Sequence, residues 1–283
     1  MTLLALASRA REVDGVDPLN EASRLALDAG HAGRVHMAVK EGTTVVAAAF
    51  ADGLAPVELV VDPDHRRQGH GGSLLTRLMA AGESEFWAHG DLPAAQALAA
   101  AKHLEPARTL LVLRLEMVAA SALRKPPVPD GVTIRTFEPD DVDAIVQVNG
   151  RAFASHPEQG AMDRADFERR AGSDWFDPAG LFVAERDGNV VGFHWTKVDP
   201  STGSGTNPIG EVYVVGVDPT EQGSGLGTSL TARGLRHLHD SGIRTVDLYV
   251  EGDNDPALAV YRRLGFTEHA RDVLYVVGEA SPR

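Results

Sequence analysis

Apolar positions along the chain change period in a fixed order, and that order occurs twice. Residues 34–50, "RVHMAVKEGTTVVAAAF", and 181–198, "LFVAERDGNVVGFHWTKV", are β-branched and apolar runs split by Glu41-Gly42 and Asp187-Gly188. Each reads as two strands joined by a tight turn. A second apolar run follows, "VELVV" or "VYVVGV", and then a polar loop, a group of glycines and a helical period. Leu74, Leu75, Leu78 and Met79 share one face of the first predicted helix, and Leu230, Gly234, Leu235 and Leu238 one face of the second. The full order is helices, hairpin, strand, glycine loop opening a helix, strand, helix and last strand. It predicts an α/β domain, a mixed central sheet flanked by helices, present in two tandem copies.

The two copies can be laid over one another. Matching Val217-Asp218-Pro219 to Val61-Asp62-Pro63 gives an offset of 217 − 61 = 156, and without a gap Gln222 falls on Arg66, Gly225 on Gly69, Gly227 on Gly71 and Leu230 on Leu74. Between the copies lies "SALRKPPVPDG", whose prolines and charges read as a linker. A boundary near Pro126 then predicts domains of 1–125 and 126–283, each of ordinary size.

Composition narrows the classes. At 283 residues with an ordinary apolar fraction the chain is long enough for two cores. A net charge of −13 argues against a general nucleic-acid binder, which needs clustered Lys and Arg. It leaves room for a small anionic ligand held by local groups. No apolar run approaches the length of a membrane helix, and "MTLLALASRAREVDG" has no basic segment ahead of its apolar stretch, so no signal peptide is expected. The complete absence of cysteine removes disulfides, thiolate metal sites and a cysteine nucleophile, and suits a reducing cytoplasm. The histidines show no ligand spacing, so no metal is expected.

The glycines demand a chemical reason. A glycine loop that opens a helix exposes backbone N–H groups at the positive end of the helix dipole, which suits an anion. The loop of the second copy contains no Lys or Arg and carries Glu221, so backbone groups alone would hold a phosphate there. In the first copy His65, Arg66, Arg67 and His70 add side-chain charge. A Walker A loop would need Gly-Lys-Ser/Thr, and Gly227-Thr228-Ser229 lacks the lysine. A dinucleotide fingerprint fits as poorly, because Gly227 comes one position early and five residues separate strand and first glycine. A plain glycine turn before a helix stays an alternative for one loop, and finding two in register weakens it.

Gln222-x-x-Gly225-x-Gly227 and Arg66-x-x-Gly69-x-Gly71 resemble the acyl-CoA pyrophosphate loop of the GNAT N-acetyltransferase superfamily. "NDPALAVYRRLGF", residues 254–266, resembles that superfamily's Asn-x-x-Ala-x-x-x-Tyr-x-x-x-Gly-Phe segment. The resemblance implies acetyl-CoA as co-substrate. Its contacts would be Val215, Gly216 and Val217, then Gln222, Gly223, Ser224, Gly225, Leu226, Gly227 and Thr228, and then Asn254, Asp255, Pro256, Ala257, Leu258 and Ala259. The matching first-copy positions are Leu59, Val60, Val61, Arg67, Gln68, Gly69, His70, Gly71 and Gly72. Departures are modest: Glu221-Gln222-Gly223 stands where many relatives have arginines, and "HDSGIRTV" is a short connection.

Acyl transfer to an amine asks for a base, a polarised carbonyl and an acid for the leaving thiolate. Glu211, at the start of the strand leading into the loop, is the candidate base, with a solvated strand-end glutamate as the alternative. Tyr261 lies on the stripe Ala257, Val260, Tyr261 and Leu264, which by spacing is a core face; the resemblance instead aims its hydroxyl at the acyl-CoA sulfur. Asn254 suits pantetheine contact or a helix cap equally. At offset 156 Glu211 meets Ala55, and aligning Pro256 with Pro93 sets Tyr261 opposite Leu98, with "RRLGF" replaced by "AAKHL". The first copy therefore reads as an acyl-CoA-binding or vestigial domain without chemistry, and the second as the catalytic one. Direct transfer is implied, since no cysteine can carry an acyl group.

"GEVYVVGVDP", "LYVEGDN" and "HPEQG" together resemble a tandem branch of the superfamily whose acceptor is the cysteinyl amine of a glucosaminyl-inositol glycoside. That resemblance implies acceptor contacts at Glu158, Lys197, Glu211 and Tyr249, with Glu21 from the first copy. Each has a plainer reading as surface charge or, for Tyr249, a packed strand residue. His194 and Trp195 read as strand packing. Another amine acceptor, or a CoA-binding module without turnover, are the competing functions. A duplicated domain can supply its own pseudo-dimer, so a monomer is expected.

Overall fold

The computed structural model describes residues 2–53, 55–117, 125–154, 157–198 and 207–278. In chain order its elements are α1 (Leu3–Asp14), α2 (Glu21–Asp28), β1 (Val35–Glu41), β2 (Thr44–Ala51), β3 (Val57–Val61), α3 (His70–Ala80), β4 (Glu85–Ala88), α4 (Pro93–Ala101) and β5 (Leu104–Glu116). There follow β6 (Val132–Thr136), α5 (Val142–Ala152), α6 (Pro157–Gly160), α7 (Arg164–Ala171), β7 (Leu181–Arg186), β8 (Asn189–Val198), β9 (Ile209–Val217), α8 (Leu226–Asp240), β10 (Thr245–Glu251), α9 (Asp255–Arg263) and β11 (Thr267–Val277). Two compact units collect them. The first holds Met1–Leu111, Glu251–Asp253 and Ala270–Arg283, and the second holds Val112–Val250 and Asn254–His269. Part of the expected linker, residues 121–124, lies outside the described residues.

Within the first unit the strands run in the order β1-β2-β3-β4-β11-β5, and within the second β5-β10-β9-β8-β7-β6. The two hairpins form where expected. Gly42 turns the first with φ 59°, and Asp187 and Gly188 turn the second with φ 50° and 77°, the left-handed pair that a two-residue hairpin needs. Each hairpin also carries a bulge at the same place. Val39 faces Ala47 while Lys40 faces Val45, leaving Val46 over; Ala184 faces Gly192 while Glu185 faces Val190, leaving Val191 over. The carbonyl of each bulged valine accepts a hydrogen bond from the aspartate after the next strand, Asp62 to Val46 at 2.8 Å and Asp218 to Val191 at 2.9 Å. The duplication reaches the level of single backbone bonds.

β3 and β4, and likewise β9 and β10, are parallel and joined by a helix, as a parallel pair requires. The period of two along β2 explains why that helix has a partner layer. Ala47 and Ala49 pack with Leu74, Leu75 and Leu78 of α3, while Ala48 and Phe50 pack with Leu6, Ala7 and Ala10 of α1. Burying each of those leucines contributes about 1.5–3 kcal/mol. In the second unit Phe182, Ala184, Val215 and Val217 pack against Leu226 and Leu230 of α8. On the opposite face Leu181, Val183, Phe193, Trp195 and Val214 pack against Val142, Ile145 and Val148 of α5 and Phe167 of α7. Among the described residues no helix is long and apolar enough to cross a membrane.

Candidate active site

The two glycine loops are built alike. After β9, Asp218 accepts a hydrogen bond from the Thr220 amide at 3.0 Å; after β3, Asp62 accepts one from the Asp64 amide at 3.0 Å. Gln222 Nε2 donates to the Val217 carbonyl at 3.3 Å, and Arg66 Nε donates to the Val61 carbonyl at 3.3 Å. Gly225 and Gly69 each precede the first residue of their helix with φ of 90° and 88°, and neither helix start is capped by the side chain of its N-cap residue. No protein atom stands within 4 Å of where a Cβ would be placed on Gly223, Gly225 or Gly69. The Leu226 amide donates to Ser224 Oγ at 3.3 Å, and the next amides of α8, which have no partner within the helix, lie at the positive end of its dipole. That arrangement fits the pyrophosphate of acetyl-CoA.

Charge around the loops differs from the sequence expectation. Glu221 does not face the second loop as a bare carboxylate, because Arg186 binds it in bidentate fashion at 2.7 and 3.0 Å. In the first copy Arg66 is held by Asp14 through two bonds of 2.7 Å, and His70 Nε2 lies 3.0 Å from Glu41 Oε1. The Arg66 charge, expected to assist an anion there, is matched within the protein. Arg67, at the position of Gly223, has φ 63° where the second copy has glycine with φ 80°.

The copies part company one strand earlier. In β3 Val57, at the position of Tyr213, packs on the α3 face together with Leu59 and Val61, the alternation of a regular strand. On β9, by contrast, Val214 faces Trp195 while Val212 faces Thr196, leaving Tyr213 as an extra residue. Tyr213 and Val214, though adjacent, both pack on the α5–α7 face, while Val215 and Val217 pack on the α8 face. A bulge reverses the facing of every residue upstream of it. Counting back from Val215, Glu211 would point to the α8 face in a regular strand. The bulge turns it to the α5–α7 face, opposite Lys197, its Cα partner on β8. β9 also pairs with β10 only from Ile209 opposite Thr245 to Glu211 opposite Asp247. Past Glu211 the two strands cease to pair, which leaves the backbone of residues 212–217 open on that side for a ligand. Gly216 serves packing as well, since a Cβ there would overlap the Phe193 ring.

Lys197 is buried, 8% exposed, and its ammonium lies over the rings of Trp175 at 4.9 Å and Tyr213 at 5.3 Å. Glu211 is half-buried. On α9 Tyr261 is partly covered and sets its ring edge-on to Phe266 at 5.9 Å. Burial pushes its hydroxyl up to about 12, so the phenol stays neutral and a donor. The pairing of Tyr261 with Leu98 needs correction. Leu264 donates to the carbonyls of Val260 and Tyr261, and Lys102 to those of Leu98 and Ala99; Gly265 and His103 then take the left-handed conformation. Matched at their helix ends, the copies differ by 264 − 102 = 162, and Tyr261 stands opposite Ala99. α4 begins one residue later relative to its proline, which the sequence alignment through Pro93 concealed. The first copy lacks a phenol either way.

Asn254 is a helix cap, accepting from the Ala257 amide at 3.1 Å, with Asp255, Pro256, Ala257, Leu258 and Ala259 forming the first turns of α9. Leu258 is buried in the protein. Tyr249 is 52% exposed, which overturns its reading as a packed strand residue. Glu21 begins α2 and is exposed, and Glu158 lies in α6. His194 and Trp195 are wholly buried, as expected; His194 Nδ1 donates to the Leu230 carbonyl at 2.8 Å, and burial holds its pKa down to about 4. Sequence reasoning missed the bulge at Tyr213 and the aromatic surroundings of Lys197. An extra residue in a ladder leaves no mark in one strand's alternation.

A mixed sheet, a parallel β–loop–α–β unit whose glycine loop opens the helix, and strands that part beside a glutamate define an acyltransferase of GNAT type. The Acetyltransferase (GNAT) family profile matches residues 146–266. A GCN5-related N-acetyltransferase from Sphaerobacter thermophilus superposes with a TM-score of 0.69 at 22% identity, covering 96% of this chain and 90% of its own. A tandem GNAT protein from the clavulanic acid biosynthesis pathway does so with a TM-score of 0.66 at 20% identity, covering 98% and 94%. These share the fold of two GNAT-like domains. In sequence the chain is 52% identical to the mycothiol acetyltransferase of Thermomonospora curvata, over 96% of this chain and 92% of that protein. It is 46% identical to that of Catenulispora acidiphila, over 97% and 94%. The chain belongs to the mycothiol acetyltransferase family. It is an acetyl-CoA-dependent N-acetyltransferase.

Proposed function

We propose that the protein moves the acetyl group of acetyl-CoA to the cysteinyl amine of desacetylmycothiol, the cysteinyl-glucosaminyl-inositol precursor, in the last step of mycothiol biosynthesis. Residues 126–283 carry the reaction, and residues 1–125 bind acyl-CoA or keep the loop without chemistry. The observation that carries this reading is the bulge at Tyr213, which turns Glu211 toward Lys197 where β9 and β10 separate. In the first copy Val57 stands at the position of Tyr213 in regular alternation with Leu59 and Val61, and Ala55 precedes the strand.

Glu211 takes the proton as the amine nitrogen forms its bond to the thioester carbonyl carbon. The carbon–sulfur bond then breaks, and the neutral Tyr261 hydroxyl donates toward the departing sulfur. Amides of residues 215–217 and of the loop from Gln222 to Thr228 hold the co-substrate, and Lys197, Glu158, Tyr249 and Glu21 meet the hydroxyl-rich acceptor. Glu158 and Glu21 stand on the family resemblance alone. The protein works as a cytoplasmic monomer.

A mass-spectrometric assay with acetyl-CoA and the cysteinyl-glucosaminyl-inositol acceptor tests this. The expected result is a gain of one acetyl on the amine, falling about 10²–10⁴-fold in Glu211→Gln and unchanged in Ala55→Glu. Tight acetyl-CoA binding without transfer to this acceptor would show the acceptor to be wrong.

A further inference from the structure

The side chains around Lys197 form a set that neither the loop nor the base accounts for. Trp175 and Tyr213 stand edge-to-face with centroids 5.0 Å apart, and the Lys197 ammonium lies over both rings. Trp175 in turn packs on Trp195 at 5.9 Å. The Tyr213 hydroxyl accepts a hydrogen bond of 3.0 Å from Arg170 Nε on α7. Arg170 Nη1 is buried and has no hydrogen-bond partner among the described residues. A buried, unpartnered guanidinium N–H is costly and calls for a reason.

The Nε side of that guanidinium holds the residue that the bulge adds to β9. Tyr213 is the extra residue of β9, so the same irregularity that turns Glu211 to this face delivers the ring beside Lys197. A ring face attracts an ammonium through its quadrupole, and two rings at an angle leave it one favourable site. The Arg170 bond keeps the Tyr213 ring from swinging away.

Resting on the reading of Glu211 as base, we propose that Trp175, Tyr213 and Arg170 are positioning residues for the reaction: an aromatic cage, tethered through the Tyr213 hydroxyl, that fixes the Lys197 ammonium across from Glu211. A cation held there disfavours a second positive charge beside it, so the acceptor amine is received in its neutral, nucleophilic form. On β10 Asp247 stands opposite Glu211 with its charge bound by Arg114 at 2.7 Å, and the Lys197 cation on β8 favours the ionised, proton-accepting form of Glu211. Both effects act in one direction. When the cage is loosened, a higher pH is needed to obtain neutral amine and ionised base together.

The full-length protein is assayed as Trp175→Leu, Trp175→Phe, Tyr213→Phe and Arg170→Met, with Michaelis constants for both substrates and kcat followed against pH. Trp175→Leu is expected to raise the acceptor KM by about 3- to 30-fold, the range of a cation–ring contact. The acid limb of its kcat profile moves to higher pH, and its acetyl-CoA KM stays within about twofold of the parent, because the loop amides lie elsewhere on β9 and α8. Trp175→Phe restores most of the loss. Tyr213→Phe, which keeps the ring and removes only the tether, and Arg170→Met show a smaller shift in the same direction. An unmoved acid limb in Trp175→Leu, or equal rises in both Michaelis constants, would overturn the proposal as a merely structural effect. Should Trp175→Leu not fold, Tyr213→Phe decides by the same two readouts. Absence of Glu211-dependent transfer in the parent protein overturns the underlying reading, and the cage proposal falls with it.

Discussion

The two glycine loops share their aspartate turn, their helix-opening glycine and even the bond back to the strand carbonyl, yet the strands that feed them differ in which way their residues face. Tyr213 is an extra residue of β9 against β8, whereas its counterpart Val57 keeps the regular alternation of β3. A glycine turn that opens a helix is set by local sequence, whereas the facing of a strand side chain several residues upstream depends on the ladder it joins. Duplication has therefore preserved the part that is locally encoded. In place of the part that is not, the first unit has a buried charge cluster at its diverging strands. There His89 Nε2 donates to Glu58 at 2.6 Å and Nδ1 donates to Asp272 at 2.9 Å. Glu58 and Trp87, next to this cluster, are the last paired residues of β3 and β4.

That difference can be broken in order of effect. Removing the cation in His89→Leu leaves Glu58 and Asp272 buried without their partner, and about 3–5 kcal/mol of stability should go, read by chemical denaturation. pH gives the same contrast without mutation. Burial alone would lower the His89 pKa, but bonds to Asp272 and Glu58 outweigh it and raise it to about 10. Its contribution is complete below about 6.5 and fades as pH climbs toward 10. His194 in the second unit is held down to about 4 by burial, so its contribution is complete above about 6.5 and fades as pH falls toward 4. A melting-temperature profile should therefore fall at both ends, and His89→Leu should flatten only the alkaline fall.

The loops themselves come next. Gly225→Val places a branched side chain at φ 90° in the path of the phosphate and should lower kcat/KM by about 10²-fold, mainly through acetyl-CoA. Gly69→Val should cost about 1–2 kcal/mol of stability and leave turnover intact. Loss of turnover in Gly69→Val would show that the first loop takes part in catalysis. The smallest effect belongs to Arg67, a non-glycine residue at φ 63°. Relief of its left-handed strain and the greater unfolded-state freedom of glycine nearly cancel, so Arg67→Gly should change stability by less than about 0.5 kcal/mol. Gly223→Ala, its counterpart, should cost about 1 kcal/mol.

Local sequence was enough to fix the duplicated α/β plan, the two hairpins with their turns, the glycine loops that open α3 and α8 and the buried faces of those helices. Each depends on periods of two or 3.6 and on glycine at a left-handed turn, properties that neighbouring residues carry among themselves. Tertiary structure decided the facing of Glu211, the partners of Lys197, the capping role of Asn254, the exposure of Tyr249 and the one-residue shift that sets Ala99 opposite Tyr261. It also drew the compact units so that residues 270–283 count with the first, a grouping that no linker composition announces. The physical reason is common to all of these. A side chain's partner across a ladder is chosen by register, and register follows from strand pairing over distances at which the chain's own periodicity carries no information.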